Sequence, residues 1–207
     1  TMTGGAGNDG MSLLLAASVQ GSAIAFGGPS ASYAYVYAYY DSAYVSYNDI
    51  IMAGGAGAGN DTLSVRLLAD AGIYGEASGS ADYVSAWNYY AYASVDYNNI
   101  TMTAGSGNDV LTAQLAASAR NTALAIANNG AGSEQYAYAY AYTAYAYVYS
   151  NDVIMLGGSG NDRLSVMLSA DAAVLGSASM SGGMTNSAYG SAYYAYAEVA
   201  YNDITMT

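Results

Sequence analysis

Four aspartates recur at a nearly constant interval, and each one ends a glycine-rich segment that also carries asparagine. They are Asp9, Asp61, Asp109 and Asp162, separated by 52, 48 and 53 residues. Glycine permits positive φ angles and leaves backbone carbonyls accessible. Carboxylate and carbonyl oxygens are the ligands that Ca²⁺ takes, about six to eight at a time. Binding of a divalent cation is therefore the chemistry that these segments could support.

Segments 4–9 and 157–162 both read Gly-Gly-x-Gly-Asn-Asp, and looser copies surround Asp61 and Asp109. They resemble the repeats of the secreted RTX calcium-binding proteins of bacteria, in which glycine-rich turns and short strands build a parallel β-roll. The resemblance implies that Ca²⁺ binds through the aspartate and the turn carbonyls, with one motif per ~51 residues here. By position, it assigns the ligand role to Asp9, Asp61, Asp109 and Asp162.

A second set of corners precedes the first, at a distance of 10 residues in most units. Its aspartates are further candidate calcium ligands: Asp49, Asp152 and Asp203. The alternative is that Gly-x-Gly-Asn-Asp only makes a tight turn, whose Asn and Asp side chains bond to the backbone and stack as ladders. The sequence alone does not distinguish calcium binding from a structural turn.

These corners divide the chain into four similar units, approximately 1–52, 53–103, 104–155 and 156–207. The first unit resembles the third and the second resembles the fourth, so units pair into repeats of about 102 residues. Repeats of this size indicate stacked supersecondary units, and we expect a single repetitive array. The Thr-Met-Thr at 1–3 recurs at 205–207, in register with the repeat. This seam favours a window on, or a junction within, a longer polymer.

Strict alternation of apolar and polar residues after each glycine segment predicts β-strands, as in Leu63, Val65 and Leu67 against Thr62 and Ser64. We therefore predict an all-β, β-solenoid or β-roll-like stack, with turns at 27–29, 128–130 and 181–183. The alternative is a tandem pair of antiparallel, pilin-like β-sandwich domains.

Tyrosine tracts alternate with alanine in the same way, and the run at 136–149 changes phase at Thr143-Ala144, which predicts a bulge or a corner. One interpretation of the tyrosines is a phenol ladder that binds glycans or neighbouring filaments. The other is a strand face whose rings cover the sheet while their hydroxyls reach water.

Composition excludes several functions. Fifteen acidic residues against three basic ones give a net charge of −12, so nothing neutralises the phosphates of a nucleic acid or an anionic membrane. No apolar run is long enough for a spanning helix. The chain has no Cys or His, and no unique group suited to catalysis, so an enzyme is not expected. An acidic chain without Cys or Lys favours an extracellular or cell-surface protein.

We therefore expect an extracellular structural protein that forms or continues into a filament, of a pilus-like, sheath or biofilm-matrix kind, by end-to-end stacking of its β repeats. Its main partner would be itself, added head to tail. The alternative is a calcium-stabilised, RTX-like adhesin module of a large secreted protein.

Overall fold

The protein folds entirely into strands and turns over the residues that its computed structural model describes, which are 1–28, 32–55, 57–128, 134–181 and 185–207. The strands are β1 (Met2–Thr3), β2 (Gly10–Gly27), β3 (Tyr33–Ser46), β4 (Asp49–Ala53), β5 (Thr62–Gly79), β6 (Tyr83–Asp96), β7 (Asn99–Thr103), β8 (Val110–Asn128), β9 (Glu134–Tyr149), β10 (Asp152–Leu156), β11 (Arg163–Ser181), β12 (Thr185–Ala200) and β13 (Asp203–Met206). Within these residues there is no helix with the length and apolarity needed to cross a membrane. The predicted turns at 29, 129–130 and 182–183 lie outside the described residues.

The strands form three sheets. The short sheet has the order β1-β4-β7-β10-β13, the long sheet β11-β8-β5-β2, and the tyrosine sheet β12-β9-β6-β3. Every pairing between the described strands is parallel. One strand from each of the three sheets makes a rung, and four rungs stack on one another. This is the predicted β-solenoid, and the parallel pairing excludes the antiparallel sandwich.

Equivalent residues of successive units lie directly above one another. Leu63, for example, pairs with Leu111, which pairs with Leu164. Alternation along the strands then decides which side chains enter the core, because successive residues point to opposite faces. Leu63 and Val65 are fully buried, whereas Ser64 between them is not. The alternation in sequence therefore predicted the inward face correctly.

The core tapers from large to small side chains across each rung. Next to the short sheet it contains residues such as Leu111, Leu115 and Met102. Further along, the long and tyrosine sheets face each other mainly through alanine, for example Ala125 against Ala139. Small side chains allow two sheets to approach closely, and this is why an alanine-rich chain can still exclude water from its interior.

The predicted phase change in the tyrosine sheet is present. Thr143 and Ala144 are consecutive, and both are buried. A shift of this kind leaves backbone carbonyls without a ladder partner, and a buried asparagine of the opposite sheet supplies donors to them. Nδ2 of Asn121 lies 3.4 Å from the Asn88 carbonyl, 3.2 Å from that of Tyr89 and 3.1 Å from that of Thr143. The backbone carbonyls at the phase change therefore have a hydrogen-bond donor in Asn121.

Candidate functional site

The four aspartates predicted from the glycine segments lie in one column along the stack. In each case the backbone amide of one aspartate donates to Oδ1 of the next: Asp9 to Asp61 at 2.9 Å, Asp61 to Asp109 at 2.6 Å, and Asp109 to Asp162 at 3.0 Å. Asp61 and Asp109 are 3% and 1% exposed. The carboxylates thus serve as acceptors that join one rung to the next.

Glycine at the first position of the motif leaves room for this carboxylate. A Cβ atom on Gly4 would lie 2.5 Å from Oδ2 of Asp9, and the amide of Gly5 donates to the same oxygen at 2.9 Å. The third unit has Ala104 at this position, and Oδ2 of Asp109 is buried without a hydrogen-bond partner. The substitution and the unpartnered oxygen occur in the same corner.

The asparagine before each of these aspartates forms a ladder that runs in the opposite direction. The amide of Asn60 donates to Oδ1 of Asn8 at 2.7 Å, Asn108 donates to Asn60 at 2.7 Å, and Asn161 donates to Asn108 at 3.0 Å. The stacked Asn and Asp ladders expected for a structural turn are therefore present at the glycine corners.

The second predicted set lies apart from the first, where the short strands begin. Asp49 is paired with Asn99, and Asn99 with Asp152, which is paired in turn with Asp203. These side chains are exposed, and Nδ2 of Asn99 donates to Oδ1 of Asp49 at 2.7 Å. The described part of the chain holds no group of three or more His, Cys, Asp or Glu arranged to hold a metal ion. Calcium binding at either set stays a prediction.

A third column, made of asparagines, was not predicted from the motifs around the aspartates. It consists of Asn48, Asn98, Asn151 and Asn202. Nδ2 of Asn98 donates to the carbonyls of Val45 and Asp96, both at 3.0 Å, and to Oδ1 of Asn151 at 2.9 Å. Asn98 and Asn151 are fully buried. The available signal was that this asparagine is present in all four units, whereas the residue after it varies.

The residue before each of these asparagines has a left-handed backbone. The four residues are Tyr47, Tyr97, Ser150 and Tyr201, with φ between 51° and 58°. Left-handed conformations cost free energy for residues with a Cβ. The asparagine ladder that follows compensates for this cost, because it fixes the corner on both sides.

Both ends of the stack leave core side chains incompletely covered. Leu13 and Leu15 of the first rung are only half-buried, although their neighbours Val65 and Leu67 one rung inward are fully buried. At the other end, the equivalent residues Val166 and Leu168 are likewise half-buried, and so is Leu164 beside them. In the described structure, β1 covers β4 at the first rung, but the strands of the long and tyrosine sheets have no strand beyond them at either end.

The hydrogen-bond ladders also stop unfinished at both ends. At the fourth rung, the amides of Asp162 and Asn202 have no acceptor within the described residues. At the first rung, Oδ1 of Asp9 and Oδ1 of Asn48 receive no donor from them. The ladder that begins at Asn8 and ends at Asn161 stops in the same way. Within the described residues, the amide of Asn8 has no acceptor and Oδ1 of Asn161 receives no donor. Each unfilled donor at one end corresponds to an unfilled acceptor at the other.

The outward face of the tyrosine sheet, here called the tyrosine face, carries stacked rings that run the whole height of the molecule. Ring centroids are 5.0 Å apart for Tyr39–Tyr89, 5.1 Å for Tyr89–Tyr142 and 4.8 Å for Tyr142–Tyr193, with interplanar angles of 4°, 7° and 5°. The chain's one tryptophan, Trp87, belongs to this face. The predicted ladder of phenols is present, and the exposed tyrosines also cover the sheet as the simpler interpretation required.

Crowding among these rings disfavours their ionisation. Burial, followed by the neighbouring phenols Tyr92, Tyr145 and Tyr196 and the carboxylate of Glu198, raises the pKa of Tyr147 to about 12. Burial is also the main cause that raises the pKa of Tyr142. The phenols of Tyr142 and Tyr147 therefore stay protonated and uncharged at neutral pH.

The molecule thus has three distinctive surfaces, which are the two complementary ends of the stack and the tyrosine face. No protein-family model matches this chain, and no curated protein or solved structure is significantly similar to it.

Proposed function

We propose that this protein is an extracellular structural protein whose rungs stack end to end, so that it forms or continues into a filament. The observation that carries the proposal is that the two ends of the stack are unfinished and complementary. The same geometry serves whether the next rung belongs to a second copy or to a longer chain of the same repeats.

Core packing supports a head-to-tail junction. If the register between rungs is continued, β11 of one copy pairs with β2 of the next, and Leu164 and Leu168 then lie over Met11 and Leu15. All of these side chains are half-buried in the isolated molecule. Covering them removes apolar surface from water, which is worth about 25 cal/mol for each Å².

Hydrogen bonds support the same arrangement. In a continued stack, the amides of Asp162 and Asn202 reach Oδ1 of Asp9 and Oδ1 of Asn48 in the next copy. The amide of Asn8 then reaches Oδ1 of Asn161. A head-to-head contact would instead bring two first rungs together. The Oδ1 atoms of Asp9 and Asn48 would then lack the amides of the fourth rung that fit them. The unfilled groups therefore favour a polar filament in which all copies point the same way.

The short sheet adds a requirement. Met2 of β1 pairs with Met52, and Met206 of β13 occupies the same position relative to Met155. In a head-to-tail stack, β13 of one copy and β1 of the next compete for the free edge of β4. Residues 1–3 and 205–207 have the same sequence, Thr-Met-Thr, so β13 can replace β1 without loss of contacts.

Composition supports the extracellular assignment. The chain is acidic, with a net charge of −12, and it has no cysteine that oxidation could damage or cross-link. A repetitive stack of equivalent rungs suits a structural role.

Electron microscopy of the purified protein tests the proposal, with two adjacent leucines as a matched pair. Leu15 points inward at the open first rung, whereas Leu14 points outward and is 55% exposed. We expect wild type and Leu14→Asp to form filaments, and Leu15→Asp to stay monomeric with an unchanged circular dichroism spectrum. Removal of residues 1–3 should accelerate growth, because β13 then meets a vacant edge. Monodisperse globular particles from wild type at all concentrations would overturn the proposal.

A further inference from the structure

We propose that the tyrosine face is a second self-association surface, on which another copy of this chain docks face to face. This lateral contact goes beyond the end-to-end filament and does not depend on it. It commits to one occupant, a second copy, and four features of the face support that choice.

Ring orientation is the first feature. Two parallel phenol rings with centroids 4.8–5.1 Å apart cannot lie flat side by side, because flat rings need more room than that. The rings of Tyr39, Tyr89, Tyr142 and Tyr193 therefore overlap one another and stand on edge. Both flat sides of Tyr89 and Tyr142 are covered by the adjacent rungs, whereas Tyr39 and Tyr193, in the terminal rungs, are covered on one side. Sugar rings, which stack on the flat sides of aromatic rings, find such sides open in this column only at its two ends.

The hydroxyl groups are the second feature. Rings that stand on edge present their hydroxyls outward, and a phenol both donates and accepts a hydrogen bond. The face is thus chemically able to bond to itself. Centroids repeat every 6.2 Å along the strand for Tyr138–Tyr140 and every 5.0 Å between rungs for Tyr39–Tyr89. A partner that matches both spacings over the whole face is another copy of the face.

Charge is the third feature. Among the described side chains, the outward positions of the tyrosine sheet hold two carboxylates, Asp96 and Glu198, out of 15 acidic residues in the chain. Asp96 accepts a hydrogen bond from the hydroxyl of Ser46. The aspartates Asp49, Asp152 and Asp203 instead line the outward side of the short sheet. Two copies that approach through the tyrosine face therefore meet little of the repulsion expected from a net charge of −12.

Area is the fourth feature. A face 14 residues long and four rungs high measures about 46 Å by about 19 Å, or about 900 Å². A standard protein–protein interface buries about 800 Å² on each partner. One copy therefore offers enough surface for a stable pair, and a filament would multiply this surface along its length.

The test uses the Leu15→Asp background, so that stacking at the ends is blocked and lateral pairing is measured alone. We expect this protein to sediment as a dimer at high concentration. Tyr89→Glu with Tyr142→Glu, added in adjacent rungs of the face, should weaken the dimer by more than about tenfold, because each charge would be buried against its counterpart. Leu68→Glu with Ala116→Glu, which lie outward on the long sheet, are the matched control and should leave the dimer intact.

Trp87 provides a second readout from within the face. Pairing should reduce quenching of its fluorescence by acrylamide as the protein concentration rises, in the control variant but not in the Tyr89/Tyr142 variant. If that variant unfolds at a lower temperature, Tyr37→Glu with Tyr39→Glu, at the exposed first rung, takes its place.

Three outcomes would overturn the proposal. The Leu15→Asp protein could stay monomeric, with quenching of Trp87 independent of protein concentration, or the dimer could survive the glutamates on the tyrosine face. Alternatively, protection of Trp87 could require an insoluble polysaccharide instead of a second copy. Failure of end-to-end stacking would leave a lateral dimer unaffected, so the two proposals fail separately.

Discussion

The backbone amide of Asp61 donates a 2.6 Å hydrogen bond to Oδ1 of Asp109, the aspartate at the same position one rung further along the stack. A carboxylate that sequence motifs would assign to a cation is thereby part of the connection between rungs. The asparagine immediately before it makes the reverse connection, from Asn108 back to Asn60. Each glycine corner therefore joins its neighbours by two bonds of opposite direction.

Loss of the buried asparagine ladder should be costly. Asn98→Ala removes a fully buried side chain, and with it three hydrogen bonds from Nδ2, to the carbonyls of Val45 and Asp96 and to Oδ1 of Asn151. We expect the free energy of unfolding to fall by about 2–3 kcal/mol. Asn99→Ala is the control, because that side chain is exposed, and it should cost less than about 0.5 kcal/mol. Denaturant unfolding measures both, and equal losses would contradict the assigned role.

The left-handed corner makes a prediction at Ser150, whose φ is 51°. Ser150→Gly should be neutral or stabilise the fold by up to about 1 kcal/mol, because glycine adopts this conformation without strain. Ser150→Val should destabilise it by about 1–3 kcal/mol, since a β-branched residue is disfavoured there. Thermal unfolding of the two variants gives the comparison. A valine variant as stable as the glycine variant would show that the corner relaxes to another conformation.

Adjacent glycines of the first corner should differ sharply in their tolerance of alanine. A Cβ on Gly4 would lie 2.5 Å from Oδ2 of Asp9 and 2.5 Å from the carbonyl of Gly54, whereas one on Gly5 would meet nothing within 4 Å. We expect Gly4→Ala to destabilise the protein by about 1–3 kcal/mol through the displaced carboxylate. Gly5→Ala should be neutral or slightly stabilising. The midpoint of thermal unfolding distinguishes them, and a harmless Gly4→Ala would mean that the corner shifts as a whole.

Alkaline pH should weaken the tyrosine face. The pKa of Tyr147 is raised to about 12, mainly by burial, against about 10 in an unfolded chain. The folded state therefore holds this proton more tightly, so its contribution to stability is complete below about pH 10 and is lost as pH rises towards 12. Tyr147→Phe should reduce the pH dependence of unfolding in this window. Tyr47→Phe, at a site 78% exposed, is the control, and an identical effect of both would refute the assignment.

A calcium titration tests the prediction for the corner aspartates. If they bind the ion, millimolar Ca²⁺ should raise the midpoint of thermal unfolding relative to a chelator. At a hundredfold excess over Kd, one site adds about 2.7 kcal/mol to the free energy of unfolding. Asp109→Asn keeps an Oδ1 acceptor for the amide of Asp61 but loses the charge, so it should reduce the response and preserve the ladder. Equal midpoints of wild type in chelator and in calcium would remove calcium from these corners.

Much of the fold follows from two regularities in the sequence. Period-two alternation at residues such as Leu63 and Val65 requires strands with one buried face, and the repeat of about 51 residues favours units stacked in register. Alternation alone does not give the direction of pairing, because parallel and antiparallel strands share the same side-chain period. The direction of pairing follows from the path of each rung, which passes through all three sheets before the next rung begins. This path is visible only in the structure.

The positions of some polar side chains could not be predicted from the sequence, because they depend on local backbone geometry. Asn98 and Asn99 are chemically identical, yet the first is buried and the second is exposed. Asn98 lies on the inward side with Ile100 and Met102, directly after the left-handed residue Tyr97, whose conformation no residue pattern indicated. Asp41 is a similar case, because it lies in an aromatic run but faces inward, where it accepts a hydrogen bond from the amide of Gly21. Its place follows from the phase change of the sheet.

Because each strand pairs only with its equivalents in adjacent rungs, the molecule is a one-dimensional system in the thermodynamic sense. Its terminal rungs should unfold before the inner two. The free energy of initiating unfolding is needed only once, after which the break can spread from rung to rung. Each added rung would then lengthen the cooperative segment and bury a former end. Resistance to heat and to proteases should consequently grow with the number of rungs, as a property of the array and not of any one unit.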